Sequence, residues 1–456
     1  MAEKMTTSIF DSDIHRESVR TSWLVRPLSN RSCALGWLLA TVEFVGLTLL
    51  LGGPSQADAG ISTPSTWAIA HAVPACAYPS AGAPGVAPLY PLVSGPFAWL
   101  FRIGHGVPFP SSAALGAHCS NAAHAIGNWA SRSNALSETM LLGYLGWLVL
   151  LAGVVALLRA TGRGRCGWEV AGVMVLGSAP PIFLAIQEYF HPEDLMAIGL
   201  AFAGLACARR GQWIWAGILV GLALTSQQFA LLVAAPLLVL APRNRRIRYA
   251  AAVVGSAAVV VVGMVVVTSG RVIDVLTGAT ATPYTGGTLL SVADLHGFPL
   301  LFVSRVLPIA LAIVLAWWSA RRLGAAALDP VPLVSLIATS LCFRLVFEVN
   351  IFGYYFMAVS ATLIVLNVIR GRNHVYVAAW LILVTFAYDP LRWGSHPWVY
   401  VVPMASYQLL LVPAAMALAV SPLISVVRGR NRSAFDSYRD DYRAVPFDSA
   451  LQTTAI

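Results

Sequence analysis

His191-Pro192-Glu193-Asp194 places an imidazole and two carboxylates on four consecutive residues, directly ahead of an apolar run from Leu195 to Cys207. Pro192 suits the first turn of a helix, where its missing N–H leaves nothing unpaired. Glu193 and Asp194 then sit on the positive end of the helix dipole, which favours carboxylates. Carboxylates grouped in this way can act as a general base in a transfer reaction. Two arginines supply the opposite chemistry. Arg305 and Arg344 each lie inside an apolar run, a few residues from one end. An arginine there is costly unless it snorkels to the interface or meets an anion, and a guanidinium grips phosphate in bidentate fashion. Glu348 follows Arg344 by one helical turn, so an intramembrane ion pair and a phosphate site both fit this spacing.

The elements that carry these residues are set by composition. The chain has 456 residues, 58% of them hydrophobic and only 11% charged. That excludes a soluble domain and points to a polytopic membrane protein. The net charge of +9 does not signal nucleic acid. Lys4 is the only lysine, and the arginines stand in short runs between apolar segments, as topology signals do.

The expected fold is all-α, with about 12 transmembrane helices counted from apolar runs. The first run is 33–53 and carries Glu43. The others lie near 139–158, 168–186, 194–208, 213–224, 228–241, 249–268, 298–319, 331–347, 352–369, 374–388 and 402–426. Several are shorter than the roughly 20 residues of a straight crossing, which implies broken or tilted helices around a polar cavity. The 213–241 stretch is split at Thr225–Gln228, because that polar turn would otherwise sit in mid-membrane. Gly217-x-x-x-Gly221 has the spacing that lets a second helix approach closely. Residues 1–32 read as a cytoplasmic tail, 33–427 as one membrane domain, and 428–456 as a disordered cytoplasmic tail.

The basic clusters, such as Arg209/Arg210, Arg243–Arg248, Arg321/Arg322 and Arg370/Arg372, each follow an even number of these runs. Both termini are therefore expected in the cytosol. Acids, histidines and aromatics collect on the other face. The aromatics there suit either an interfacial belt or sugar stacking. Arg392 is one of the few arginines on that outer face.

The region 54–137 is the large external loop. Its segment 91–103 is apolar and aromatic but too short to cross, which suits an interfacial helix. Cys76 and Cys119 share this loop, and an oxidising exterior favours a disulfide between them. His118, Cys119 and His124 match no standard metal-ligand spacing, and no phosphate loop or hydrolase motif occurs. No metal and no cofactor is expected.

The stretch HPEDLMAIGLAFAGLACARRGQWIWAGILVGLALTSQQFALLVAAPLLVL resembles the middle of the GT-C superfamily of membrane glycosyltransferases. The likeness lies in the His-Pro-acid-acid-Leu helix start, the small-residue helix after a basic turn, and the Ala-Gly…Gly-Leu-Ala run. The resemblance implies a mannosyltransferase-like enzyme of the plasma membrane. It would take a hexose from a polyprenyl-phosphate donor and place it on a glycan or glycolipid acceptor at the external face. It also implies that the general base is the acid shortly after the first span, which here is Asp58. His191, Arg305, Arg344 and Arg392 then handle the donor phosphate beside Glu348, while Glu193 and Asp194 orient sugar hydroxyls. Partners are membrane lipid, lipid-linked donor and acceptor. The alternative is a transporter or lipid flippase.

The topology has a direct test. Thr285→Cys should react with an impermeant thiol reagent applied outside intact cells, whereas Arg245→Cys and Arg372→Cys should not. Equal labelling of all three would overturn the arrangement.

Overall fold

The structure is a computed structural model that describes residues 56–78, 87–101, 105–161, 179–187, 190–273, 288–293, 295, 297–349, 351, 353–370, 374–387 and 407–443. The first expected span, 33–53, lies outside the described residues, as do Glu43 and Arg392. Every regular element among the described residues is helical. Four stretches are long and apolar enough to cross a membrane: Ala135–Ala160, Arg243–Val267, Gly297–Leu328 and Gln408–Gly429. This is an all-helical, membrane-embedded architecture.

The chain first forms α1 (Gln56–Ala70), α2 (Leu89–Phe101) and α3 (Ala122–Ser133), which make up the region expected as an external loop. α4 (Ala135–Ala160), α5 (Pro180–Gln187), α6 (Pro192–Arg209), α7 (Trp213–Ser226) and α8 (Leu231–Leu240) follow. Then come α9 (Arg243–Val267), α10 (Leu307–Leu323), α11 (Pro330–Val346), α12 (Met357–Arg370), α13 (His374–Ala387) and α14 (Val412–Arg443). Among the described residues the helices stand where the apolar runs do, with two differences; most of the 168–186 run and the first part of the 402–426 run lie outside the described residues. α9 begins at the basic cluster itself, because Pro242 starts a helix and Arg246 donates to the carbonyls of Ala241 (2.9 Å) and Val239 (2.9 Å). α14 continues past Arg428 to Arg443, into the segment read as a disordered tail. Arg is a fair helix former, so polarity alone does not end that helix.

The break between α7 and α8 falls at Gln227, which is extended at φ −160° and ψ 138°. α4 and α6 meet backbone to backbone. A Cβ on Gly146 or Gly153 of α4 would run into the carbonyls of Pro192 or Gly199, and one on Gly199 would strike Val149. Gly217 and Gly221 do the same for α7 against α9. A Cβ on Gly217 would lie 2.6 Å from the Tyr249 carbonyl. Ser256 Oγ donates across that seam to the Ile218 carbonyl at 3.1 Å.

The bundle has two chemically distinct ends. At one, Arg209 donates to the carbonyls of Ala160 (3.2 Å) and Leu328 (2.6 Å), so the C-terminus of α4, the C-terminus of α6 and the turn before α11 meet. α6 runs from there back to His191, and its 18 residues span roughly 27 Å at 1.5 Å each. The polar site described below lies at that far end, beside α1–α3. Those helices are fastened to the bundle by Trp67, whose Nε1 donates to Thr139 Oγ1 (2.9 Å), and by a 2.6 Å contact of His105 Nε2 with Glu138. Cys76 and Cys119 form the expected disulfide, with Cα atoms 5.2 Å apart.

α9 and α10 turn large apolar side chains outward. Val254, Val259, Val266, Val314 and Trp317 are all exposed. A soluble helix would hide them, whereas a helix bathed in lipid has no need to.

The glycine contacts predict a contrast. Gly199→Val should lower stability by about 1–3 kcal/mol or more through overpacking. Gly255→Ala, where an added Cβ meets nothing, should be near neutral. Thermal unfolding in detergent compares the two directly.

Candidate functional site

Glu348 lies just beyond the C-terminus of α11, and its side chain is only 4% exposed. A carboxylate there is tolerable only if paired. It is paired twice. Arg344 Nε donates to Glu348 Oε2 at 2.9 Å, and Arg305 Nη1 lies 3.6 Å from Oε1. Arg305 reaches this point because it stands in a π turn, Phe302–Val306, immediately before α10. Such widened turns re-aim side chains and recur at functional sites. Arg344 also lies over the rings of Tyr355 (4.7 Å) and Phe229 (5.2 Å). Gln408 locks the same corner. Its amide nitrogen donates to the carbonyls of Leu345 (3.1 Å) and Val346 (3.3 Å), groups that the end of α11 leaves unpaired.

Arg305, Arg344, Glu348, Phe229 and Tyr355 border a cavity of ≈ 460 Å³. Gln227, Gln228, Phe229, Leu231 and Leu232 form one wall. Ser304, Arg305, Pro308 and Ile309 form the second, and Arg344, Glu348, Tyr354 and Tyr355 the third. Cations, a carboxylate and phenols thus share one opening with apolar side chains from α8 and α10.

The His191 cluster adjoins this cavity. The imidazole stacks on Tyr354, with centroids 4.0 Å apart and planes at 16°. His191 Nδ1 is 3.0 Å from Glu193 Oε1. Glu193 and Asp194 are both buried in the first turn of α6, at 5% and 1% exposure. Asp194 is hydrogen-bonded by Gln227 and feels the charge of Arg344. Phe190, just before the histidine, holds a left-handed backbone at φ 50°. That conformation is uncommon for a bulky residue and clusters at functional sites. It turns the chain out of α5, so that the His191 N–H returns to the Ala185 carbonyl at 2.6 Å.

The structure therefore unites five of the sequence-predicted residues, His191, Asp194, Arg305, Arg344 and Glu348, around one polar centre, with Glu193 attached through His191. Asp58 lies in the first turn of α1, but its side chain is outside the described residues, and Arg392 is outside altogether. Tyr78, a short way past the end of α1, is buried near Glu193. Burial first, and then that carboxylate, hold its phenol well above the usual range. The chain around α1–α3 thus contributes to the site. Cys119 is committed to its disulfide, and His124 sits at the surface, 2.9 Å from Asn128.

Sequence reasoning missed Gln227 and Gln408 as site residues. Gln227 carried a signal, since a polar break in an apolar run at the acidic end needs a polar partner. Gln408 carried none. No family model matches the chain, and no curated protein or solved structure does either. What the protein does is therefore argued from the site itself.

The ion pairing predicts an asymmetry. Glu348→Ala leaves the mostly buried Arg344 without its close partner and should cost about 3–5 kcal/mol, as breaking a buried pair does. Arg305→Ala, which leaves Glu348 paired with Arg344, should cost under about 1 kcal/mol, because Arg305 is more than a third exposed. Thermal unfolding of the two variants in the same detergent decides this.

Proposed function

We propose that the protein is a membrane glycosyltransferase that moves a hexose from a polyprenyl-phosphate donor to a glycan or glycolipid acceptor at the external face of the plasma membrane. About twelve crossings with both termini cytoplasmic would put the polar centre on that face. The observation that carries the reading is the cavity in which Arg305 and Arg344 meet buried carboxylates and phenols beside apolar, outward-facing helices. A lipid phosphate has this dual character, with its chain in the bilayer and its anion at the boundary.

In the reaction, the acceptor oxygen attacks the anomeric carbon and loses its proton to a base. The bond from that carbon to the phosphate oxygen breaks, and the leaving phosphate gains charge. Arg305 is suited to that anion. Its longer 3.6 Å contact with Glu348 and its partial exposure leave donors for a ligand. Arg344 is held by Glu348 and supplies a fixed positive field beside it. Asp58 is the base in this reading, and Arg392 a further phosphate contact. His191, Glu193 and Asp194, beside the cavity, orient hydroxyls.

Transfer of labelled sugar from a polyprenyl-phosphate donor in proteoliposomes tests the proposal. Asp58→Asn should lower kcat by about 10²–10⁴-fold with donor KM nearly unchanged, as loss of a positioned base does. Arg305→Ala should raise donor KM by about tenfold or more, for a lost charge-assisted bond of about 1.5–3 kcal/mol. Full activity in Asp58→Asn with loss in Glu193→Gln would move the base to the start of α6. No donor consumption by the wild type, together with movement of labelled lipid between leaflets, would favour the flippase reading.

A further inference from the structure

His191, Glu193 and Asp194 each present one potential ligand atom, and these atoms all lie within 4.8 Å of one another. Ligands around a single ion at about 2.1 Å are roughly 3–4 Å apart, so modest side-chain rotation closes the set. The same carboxylates carry a second, independent observation. Glu193 Oε2 and Asp194 Oδ1 are buried and have no hydrogen-bond partner. The residues that carry them are 5% and 1% exposed. Buried polar atoms are almost always paired, and a bare carboxylate oxygen is the most costly kind to leave alone.

The surrounding charges do not already satisfy these oxygens. His191 Nδ1 is engaged with Glu193 Oε1, and Gln227 serves Asp194 without reaching its Oδ1. Arg344 is the nearby cation, and its Nε is bonded to Glu348. The phenols of Tyr78 and Tyr90 feel Glu193 but bring no positive charge. The start of α6 contributes about half a positive charge from the helix dipole. That opposes a cation, yet two carboxylates on adjacent residues outweigh it.

We infer that His191, Glu193 and Asp194 bind one divalent cation of the kind that accepts mixed nitrogen and oxygen ligands, Mn²⁺ or Zn²⁺, rather than Mg²⁺ or Ca²⁺, which favour all-oxygen sites. With three protein ligands the ion keeps open positions, as catalytic rather than structural sites do. The cluster itself adjoins the cavity, since His191 stacks on Tyr354 and Gln227 bonds Asp194, and both Tyr354 and Gln227 line it. The inference does not depend on glycosyl transfer, because it concerns what the cluster holds.

Purified full-length protein, stripped with EDTA and dialysed against Mn²⁺ or Zn²⁺ alone, tests this without any donor present. One bound ion per chain is expected by elemental analysis, with Mn²⁺ also seen by electron paramagnetic resonance. Glu193→Gln and Asp194→Asn should each weaken binding by more than the roughly 10–100-fold that follows loss of an outer-sphere partner. His124→Ala, at an exposed surface histidine, should bind normally. The wild type with ¹⁵N-labelled histidine covers the case in which a variant fails to fold, because the bound Mn²⁺ should then show a nitrogen coupling that changes with the isotope. A wild type that holds no stoichiometric ion, or holds Mn²⁺ with no histidine coupling, overturns the inference. So does a Glu193→Gln/Asp194→Asn protein of normal elution and helicity that binds as tightly as the wild type. Sugar transfer by a wild type that binds neither ion would overturn it while leaving the proposed function intact. A bound ion with no transfer would do the reverse.

Discussion

A carboxylate with almost no access to water cannot remain charged without a cation, and that constraint fixes the geometry of the polar end of this bundle. Glu348 draws Arg344 from its own helical turn and Arg305 from a π turn some forty positions earlier in the chain. Once both arginines are gathered, α10 and α11 are held at one mutual position and the space beside them becomes a cavity. Buried ion pairs add little net stability compared with apolar packing. What they supply is placement, because any other arrangement of these helices strands a charge.

The acidic cluster beside the cavity obeys a different rule. α6 can bring His191, Glu193 and Asp194 to the cavity only because it lies against α4 with no side chains between the two backbones. Gly146 contacts Pro192 itself, so the start of the acidic cluster is fixed by a glycine on a neighbouring helix. Without much hydrophobic drive between helices in lipid, such close approach is a main source of cohesion. The polar site thus hangs on glycines that have no polar chemistry at all.

Much of this was legible in the sequence. Apolar runs gave the helices from Ala135 to Arg370, because a lipid-embedded helix must be apolar along its whole length and its ends are marked by arginine, proline or a polar turn. The Arg344–Glu348 pair follows from i,i+4 spacing. The close approach at Gly217 and Gly221 follows from their separation, and the Cys76–Cys119 bond from a shared loop. Arg305 was marked as an arginine in need of an anion, but not as the second partner of Glu348, since sequence spacing says nothing about contacts between distant helices. Gln408 was invisible for the same reason: its partners are the unpaired carbonyls of α11, and backbone groups leave no trace in residue identity. The helical extension to Arg443 was missed because polarity suggests disorder when no helix is known to lead into it.

The Arg305 wall of the cavity and the His191 cluster beside it also differ in sign, and this bears on what the cavity can hold. The Arg305 side offers a cation with donors to spare. The His191 side offers carboxylate oxygens that lack partners. A purely anionic ligand would meet repulsion from Glu193 and Asp194, and a purely cationic one from the arginines. A ligand with an anionic group at one end and neutral hydroxyls at the other suits both sides, and a cation held among the carboxylates would strengthen that fit. Tyr354 joins the two, stacked on His191 and lining the same cavity as Arg305 and Arg344. In the proposed reaction a ring at that junction would pack against a sugar face with charged groups on either side, an arrangement that suits an amphipathic, phosphate-bearing substrate better than a simple ion.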